Sequence, residues 1–436
     1  MAVQLAGSPQ SYIANGSGCQ QDSAFEHDGN QYAILVSGGY PSGAEGDGKF
    51  HALKSTDGGA TWTEMDAANA PAPDGEGALA IPGWRPAQSI CRDGSTVYLV
   101  AAKYALAATN GVQTWTFNLS TDTWAAGITS SVIKPQYGLG LTEYTPALKL
   151  LRVAAGSLVC VFGASESGAW TGTDQRIYTA TFDGSTFGTP TILPGESGAG
   201  YDFLFGDAFV DSGGYLTVFY HTGAAIPQSN LYAMTRNPSG SWGTEKTLDS
   251  TTNFNLIPHN ASNQAYGGVG QFGSNIGLVI AYSGATDSCN FYWGNAGTNN
   301  PTWHKAVVAD HLTDILTFFA KPGKAYALAI GSDGNLYAFW TLNDNGQDPP
   351  FHGRWQYAVA AQSDPGTWGA ATDLFATTGD DDWGAYGTIV WLMTGAVGVL
   401  GISANGNIDS ADYDGVLTDF DFVNLAPVVV VFNEFD

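Results

Sequence analysis

Positive charge is scarce in this chain of 436 residues: 15 Lys plus Arg stand against 40 Asp plus Glu, a net charge of -25. The six Arg (Arg85, Arg92, Arg152, Arg176, Arg236, Arg354) cannot make the basic footprint that phosphate backbones require, and an acidic surface repels nucleic acid and anionic lipid. Long apolar runs are missing as well. None reaches the roughly 18 residues of a membrane span, so neither nucleic acid nor membrane insertion is expected. The N-terminus "MAVQLAGSPQ" has no basic region followed by an apolar stretch, so no secretory signal peptide is expected. Cysteine is rare. Cys19, Cys91, Cys160 and Cys289 are far apart and form no CxxC, which reads as buried thiols rather than a disulfide or zinc framework. Charged residues make up only 13% of the chain, too few to clothe helix surfaces.

What the chain has instead is 57 Gly, 13 Trp, 20 Tyr and 22 Phe, turn formers and strand-favouring aromatics, so an all-β protein is expected. Seven Gly-containing turns each precede an apolar strand, among them "HDGNQYAILV", "RDGSTVYLVA" and "SDGNLYAFW". Their glycines (Gly29, Gly94, Gly156, Gly213, Gly273, Gly334, Gly395) recur every 57 to 65 residues. A second series of turns runs in phase: "STDGGATW", "STDTW", "FDGSTF", "PSGSW", "NNPTW", "SDPGTW" and, without the aromatic, "DYDGVLT". Each repeat therefore holds four strands and two hairpins. Such units stack about an axis, so the expected fold is a seven-bladed β-propeller of four-stranded antiparallel blades, one domain over residues 1–436. The strand-like Ala2–Gly7 segment could supply the outer strand of the last blade. The uncharged run Val428–Phe432, within residues 427–436, is expected to be paired too, as a closing strand or against another chain.

The first turn of the second series carries the pattern Ser-x-Asp-x-Gly-x-Thr-Trp, with Ser55, Asp57, Gly59 and Trp62. On this motif the sequence resembles the Asp-box, or bacterial neuraminidase repeat, propellers of the sialidase-like superfamily. The resemblance implies that the box lies at the turn between third and fourth strands, away from the central funnel. Its Asp would bond backbone and its aromatic would pack between sheets, both structural roles. The resemblance also implies sialidase chemistry, in which three Arg clamp a carboxylate and a Tyr nucleophile is paired with Glu. Here only Arg85, in "GWRPAQ", stands where the first Arg would, and Arg152 is the one remaining candidate for a second. Lys cannot replace the guanidinium fork. The catalytic set is therefore not retained, and the chain reads as leaning away from an enzyme.

The loops entering the innermost strands, and those between second and third strands, open on one face. They hold many carboxylates (Glu45, Asp47, Asp74, Glu76, Glu143, Glu166, Asp202, Asp207, Asp314, Asp344, Asp348), read as solvated, together with His221, His259 and His311. No pair stands out as catalytic. The same loops carry aromatics that suit sugar stacking, so Trp84, Arg85, Tyr144, Trp170, Tyr201, Trp383 and Tyr386 are the candidate ligand-binding residues. In "TGDDDWGAYG", Asp380, Asp381 and Asp382 are candidate oxygen ligands for Ca²⁺, although no cofactor is required by the reading. Three function classes stay open. A non-catalytic recognition propeller for glycans or a surface partner fits best; a glycoside hydrolase or lyase and a structural assembly protein are the alternatives. Surface recognition without a secretion signal suggests a phage virion component, in the tail or on the capsid, with other virion proteins as partners and release by lysis; otherwise the protein would be cytoplasmic.

Overall fold

The computed structural model describes residues 2–3, 24–36, 49–57, 63–71, 88–103, 111–132, 148–165, 175–195, 202–223, 230–250, 268–282, 288–310, 326–331, 333–343, 353–373, 382–383, 391–392, 398–404 and 417–424. Among them the chain is all β, apart from one 3-10 turn at Ala67–Asn69. After β1 (Ala2–Val3), the first sheet holds β2 (Ala24–His27), β3 (Asn30–Val36), β4 (Phe50–Ser55) and β5 (Thr63–Met65). The second holds β6 (Gln88–Asp93), β7 (Thr96–Lys103), β8 (Gly111–Asn118) and β9 (Thr123–Ser130). The third holds β10 (Leu148–Ala154), β11 (Ser157–Ser165), β12 (Gln175–Phe182) and β13 (Thr191–Ile192). The fourth holds β14 (Asp202–Val210), β15 (Leu216–Gly223), β16 (Leu231–Arg236) and β17 (Lys246–Asp249). The fifth holds β18 (Val269–Phe272), β19 (Asn275–Tyr282), β20 (Ser288–Asn295) and β21 (Trp303–Asp310).

The sixth sheet has β22 (Tyr326–Ile330), β23 (Asn335–Asn343) and β24 (Gly353–Ala361), with its outer position split between β25 (Asp364–Trp368) and β26 (Thr372–Asp373). All six are antiparallel meanders in chain order. The last strands, β27 (Asp382–Trp383), β28 (Trp391–Leu392), β29 (Gly398–Ala404) and β30 (Leu417–Asn424), form a further sheet whose outer strand is β1 from the other end of the chain. Ala2 stands opposite Asp421 and Val3 opposite Phe420. The N-terminal strand thus takes the outer position, while residues 427–436 lie outside the described residues.

The two turn series explain these hairpins. Gly29, Gly94, Gly156, Gly273 and Gly334 have φ of 74°, 60°, 69°, 51° and 84°, the left-handed conformation that a tight first-to-second strand turn demands. In the fourth repeat that conformation falls on Gly214 (φ 76°) rather than Gly213, because the Asp211 carboxylate accepts the amides of Gly213 and Tyr215 and sets the turn one residue later. Gly395 lies outside the described residues.

Apolar side chains glue neighbouring sheets. Phe25, Ile34, Leu99 and Phe117 join the first to the second, and Cys91, Leu150, Cys160 and Phe182 the second to the third. Val159, Val161, Val210 and Val218 join the third to the fourth. One large cluster, including Phe219, Ile280, Phe291 and Trp340, spans the fourth to the sixth. Each such Leu or Phe, fully buried, contributes about 1.5–3 kcal/mol relative to exposure. Beyond the sixth sheet, β24 meets β27, and β28 meets β2 of the first. The packing therefore runs in a circle. Cys91, Cys160 and Cys289 are buried free thiols, as their sequence context predicts, and burial pushes the Cys160 thiol up to about 12. Cys19 lies outside the described residues.

Candidate functional site

In an antiparallel meander the first-to-second and third-to-fourth turns fall at one edge of the sheets, here the turn rim. The strand ends that border the longer connections form the opposite edge, the loop rim. Five of the seven sequence-predicted ligand residues fall in the sequence next to loop-rim strand ends: Trp84 and Arg85 precede β6, Tyr144 precedes β10, Trp170 falls between β11 and β12, and Tyr201 precedes β14. Trp383 is in β27, and Tyr386 falls between β27 and β28, which both pair β29. Trp84, Arg85, Tyr144, Trp170, Tyr201, Tyr386, Asp380 and Asp381 lie outside the described residues, as do His259 and His311. Asp382 and Trp383 form β27 and pair with Ala404 and Ser403. Among the described residues no three His, Cys, Asp or Glu side chains converge on a metal position, and no helix is long and apolar enough to cross a membrane.

The turn rim is described in detail, and its polar groups are committed to holding backbone. In the Asp-box pattern Ser55 is buried; its hydroxyl donates to Asp57 Oδ1 at 2.8 Å and accepts the Asp57 amide at 3.5 Å. Gly59 and Trp62 lie outside the described residues. At the equivalent turn of the third sheet, Asp183 Oδ1 accepts the Ser185 amide, the Ser185 hydroxyl and the Thr186 amide, and these bonds hold its carboxyl below the usual value. The aromatics that follow these turns pack inward: Trp124 meets Phe117 edge-on at 4.9 Å, and Phe187 stacks on Phe182 at 4.2 Å.

Other carboxylates stitch one sheet to the next. At the turn rim Asp93 Oδ2 accepts the Gly156 amide at 2.7 Å and Asp211 Oδ2 the Gly297 amide at 2.7 Å, and Asp66, just after β5, accepts the Trp124 amide at 2.8 Å through Oδ2. Gln271 and Ser212 exchange two hydrogen bonds across the fourth and fifth sheets. Two of the six Arg are also engaged there. Arg152 Nε stands 2.6 Å from Asp93 Oδ1, a charge contact without the geometry of a directed hydrogen bond, and Arg92 donates to the Glu26 carbonyl at 2.6 Å. Arg152, the one candidate for a second clamp residue, is thus a cross-link between sheets.

Deeper in, ionic groups tie strands and neighbouring sheets together. Asp207 does not behave as the solvated loop carboxylate the sequence predicts: it sits on β14, buried, with Oδ1 2.6 Å from the ammonium of buried Lys149 on β10. The reason is a β-bulge between Phe205 and Asp207, which re-aims the side chain toward the third sheet. Asp202 likewise begins β14 rather than standing in a loop. His51 Nδ1 lies 2.5 Å from Glu64 Oε1. Asp249 Oδ2 accepts from Tyr292 at 2.8 Å and from Lys305 at 2.5 Å, whereas Asp122 accepts from Tyr32 through Oδ1 at 3.0 Å and from Lys54 through Oδ2 at 2.7 Å. A Tyr–Glu pair, the chemistry a sialidase nucleophile would need, does occur: Tyr220 donates to Glu245 Oε2 at 2.5 Å. Tyr220, however, is wholly buried among the residues joining the third and fourth sheets, so its hydroxyl meets no substrate. His221 pairs through its backbone with Leu204 and Leu231 on β15.

No model of a protein family matches the sequence, and no curated protein matches it. Solved structures with a similar backbone include a Trypanosoma rangeli sialidase in complex with 2,3-difluorosialic acid, at 14% identity over 97% of this chain and 58% of that one, with a TM-score of 0.45. A protein of unknown function from Dyadobacter fermentans matches at 12% identity over 83% of this chain and 98% of that one, TM-score 0.48. A Penicillium chrysogenum alpha-L-arabinanase complexed with arabinobiose matches at 15% identity over 78% of this chain and 92% of that one, TM-score 0.41. This chain spans 58% of the length of the sialidase it is similar to.

Proposed function

We propose that the sheets are the seven blades of one propeller of the Asp-box type, a single domain over residues 1–436, and that its loop rim recognises a glycan or glycosylated surface without cleaving it. The circular packing from β2 round to β28 supports the closed ring. What supports the functional reading is the division of labour between the rims: Asp93, Asp183 and Asp211 are bonded to backbone at the turn rim, whereas Trp84, Tyr144, Trp170 and Tyr201 fall in the sequence between loop-rim strand ends. In this reading Trp84, Trp170, Tyr144, Tyr201, Trp383 and Tyr386 offer ring faces to C–H surfaces of sugars, and Arg85 supplies a charged donor. Asp380, Asp381 and Asp382 hold Ca²⁺ through hard oxygen ligands. Arg152 and Tyr220, held between sheets, are unavailable to a sialidase-type centre, which favours binding over hydrolysis.

The test is a glycan array probed with the intact protein in Ca²⁺ and again in EDTA, followed by incubation of each bound glycan with the protein and mass analysis of products. Retention of defined glycans with no product supports recognition. Release of a shorter sugar makes the protein a glycoside hydrolase or lyase, and failure to retain any glycan sinks the carbohydrate reading altogether.

A further inference from the structure

A buried amide in the fifth sheet has no protein group to bond. Asn290 on β20 is 0% exposed, and neither its Nδ2 nor its Oδ1 has a hydrogen-bond partner among the described residues. Buried polar side chains nearby are satisfied within the chain: Thr217 pairs with Thr235, and Asp249 accepts from Tyr292 and Lys305. The indoles of Trp303, Trp340 and Trp368 each leave one buried donor open, whereas Asn290 leaves both a donor and an acceptor. A dry primary amide at that depth is costly, because it has given up its hydration and gained no bond in return.

The pleat of β20 fixes which way the amide faces. Side chains two apart on a strand share a face, so Ser288, Asn290 and Tyr292 point one way and Cys289, Phe291 and Trp293 the other. Tyr292 reaches Asp249 on β17, while Phe291 packs edge-on against Trp368 of the sixth sheet, so Asn290 faces the fourth sheet. Ser288, also buried, is its neighbour on that face toward the loop rim, where β20 begins, and its hydroxyl both donates and accepts. Two residues along a strand span about 6.5 Å, too far for side chains this short to bond directly and near the reach of two hydrogen bonds of about 2.8 Å each through one bridging atom. The ladder is irregular at the same place. Cys289 stands opposite Ala309 and Asn290 opposite Val307, so Val308 is opposite no residue of β20, and the bulge bends β21 beside the amide.

We propose that Asn290 and Ser288 hold one internal water molecule between the fourth and fifth sheets, on the loop-rim side of the contact that Tyr292, Asp249 and Lys305 make. A water can accept from Nδ2 or donate to Oδ1 and complete its bonding through the Ser288 hydroxyl. Ile280, buried opposite Asn290 on β19, gives the site an apolar wall, which suits a small neutral ligand and opposes an ion. The water is thereby a structural part of the joint between two sheets.

The experiment counts long-lived waters by oxygen-17 magnetic relaxation dispersion in the unsubstituted chain, in Asn290→Leu and in Ser288→Ala, and follows chemical denaturation of each. Leu matches the amide in size and offers no polar atom. Asn290→Leu is expected to lose one long-lived water and to lower the denaturation midpoint. Ser288→Ala is expected to shorten the residence of that water by about tenfold, the effect of one lost hydrogen bond. An unchanged water count in Asn290→Leu overturns the proposal, and a raised midpoint beside it would show the amide to be dry. If Asn290→Leu does not fold, a high-resolution crystal structure of the unsubstituted chain decides. A water within hydrogen-bond distance of both Asn290 and Ser288 supports the proposal; a protein side chain in that place, or no density there, overturns it.

Discussion

The two rims of the sheets solve opposite problems with the same residue types. At the turn rim, Asp, Ser, Asn and Gly close tight hairpins, and their side chains bond backbone of the same or the neighbouring sheet, as Asp211 does with Gly213, Tyr215 and Gly297. Between loop-rim strand ends the sequence intersperses Asp and Gly with aromatics in segments too long for hairpin turns, such as "ESGAWTGTD" between β11 and β12. A carboxylate with both oxygens bonded to backbone, as in Asp211, has little capacity left to read a ligand. The difference teaches that an acidic net charge of -25 is not one property: part of it is architecture and part is surface.

The sharpest way to break that division is in the interior, where charge serves architecture alone. Asp207→Asn leaves the Lys149 ammonium buried without a counter-charge, and is expected to cost about 3–5 kcal/mol of stability. Paired replacement by Lys149→Met and Asp207→Leu is expected to recover most of that loss, since it removes both charges together. Chemical denaturation checks both. A loss under about 1 kcal/mol for Asp207→Asn would mean that water reaches the pair and that the site faces a channel.

A smaller effect is expected at the turn rim itself. Asp211→Ala strands three backbone amides that its carboxylate accepts, and is expected to lower stability by about 1–3 kcal/mol while leaving glycan retention intact. Loss of retention at full stability would move the turn rim into function.

How much of this was legible in the sequence depends on range. Positive φ at Gly29, Gly94, Gly156, Gly273 and Gly334 follows from local turn chemistry, and the period followed from their spacing. Asp211 displaced its turn by one residue, a detail that the Ser-Gly-Gly run left ambiguous. Asp207 reads as a loop carboxylate because Asp is disfavoured in strands. The flanking apolar alternation in "DFLFGDAFV" was the available signal, and the bulge that turns the carboxylate inward was not. Arg152 and Asp93 are partners only once two sheets stand side by side, which no local pattern records.

Acid separates the rims more gently. Burial opposes ionisation of Asp333, but the Tyr337 hydroxyl and the Asn335 amides outweigh it and hold the carboxyl below its ordinary value of 3.8. With the folded value depressed, its contribution is complete above 3.8 and is lost as pH falls through the folded value. Tyr337, raised to about 12 by burial and by that carboxylate, stays protonated throughout. Melting temperature followed from pH 6 downward is expected to fall less steeply for Asp333→Asn than for the parent, with the curves converging at the acid end. Parallel curves would show that Asp333 does not contribute to the acid limb.

The smallest effects on stability are expected at the loop rim, and there the comparison becomes most exacting. Large aromatics between strand ends serve either as sugar platforms or as core, and the two roles predict opposite pairs of measurements. For a platform, Trp84→Ala, Trp170→Ala or Tyr386→Ala removes a ring that protein atoms do not surround, so the unfolding free energy should change by no more than about 0.5 kcal/mol. Glycan affinity should fall at least about tenfold, because ring stacking and the water it excludes are lost. For a core residue, the same substitution opens a cavity and costs about 3–5 kcal/mol, with affinity per folded molecule unchanged. Calorimetric binding and denaturation on each variant assign every aromatic to one side. With the same test extended to Tyr144, Tyr201 and Trp383, the recognition reading requires that at least one of the six fall on the platform side; six core results would leave the protein without a sugar-binding surface and return it to the assembly class.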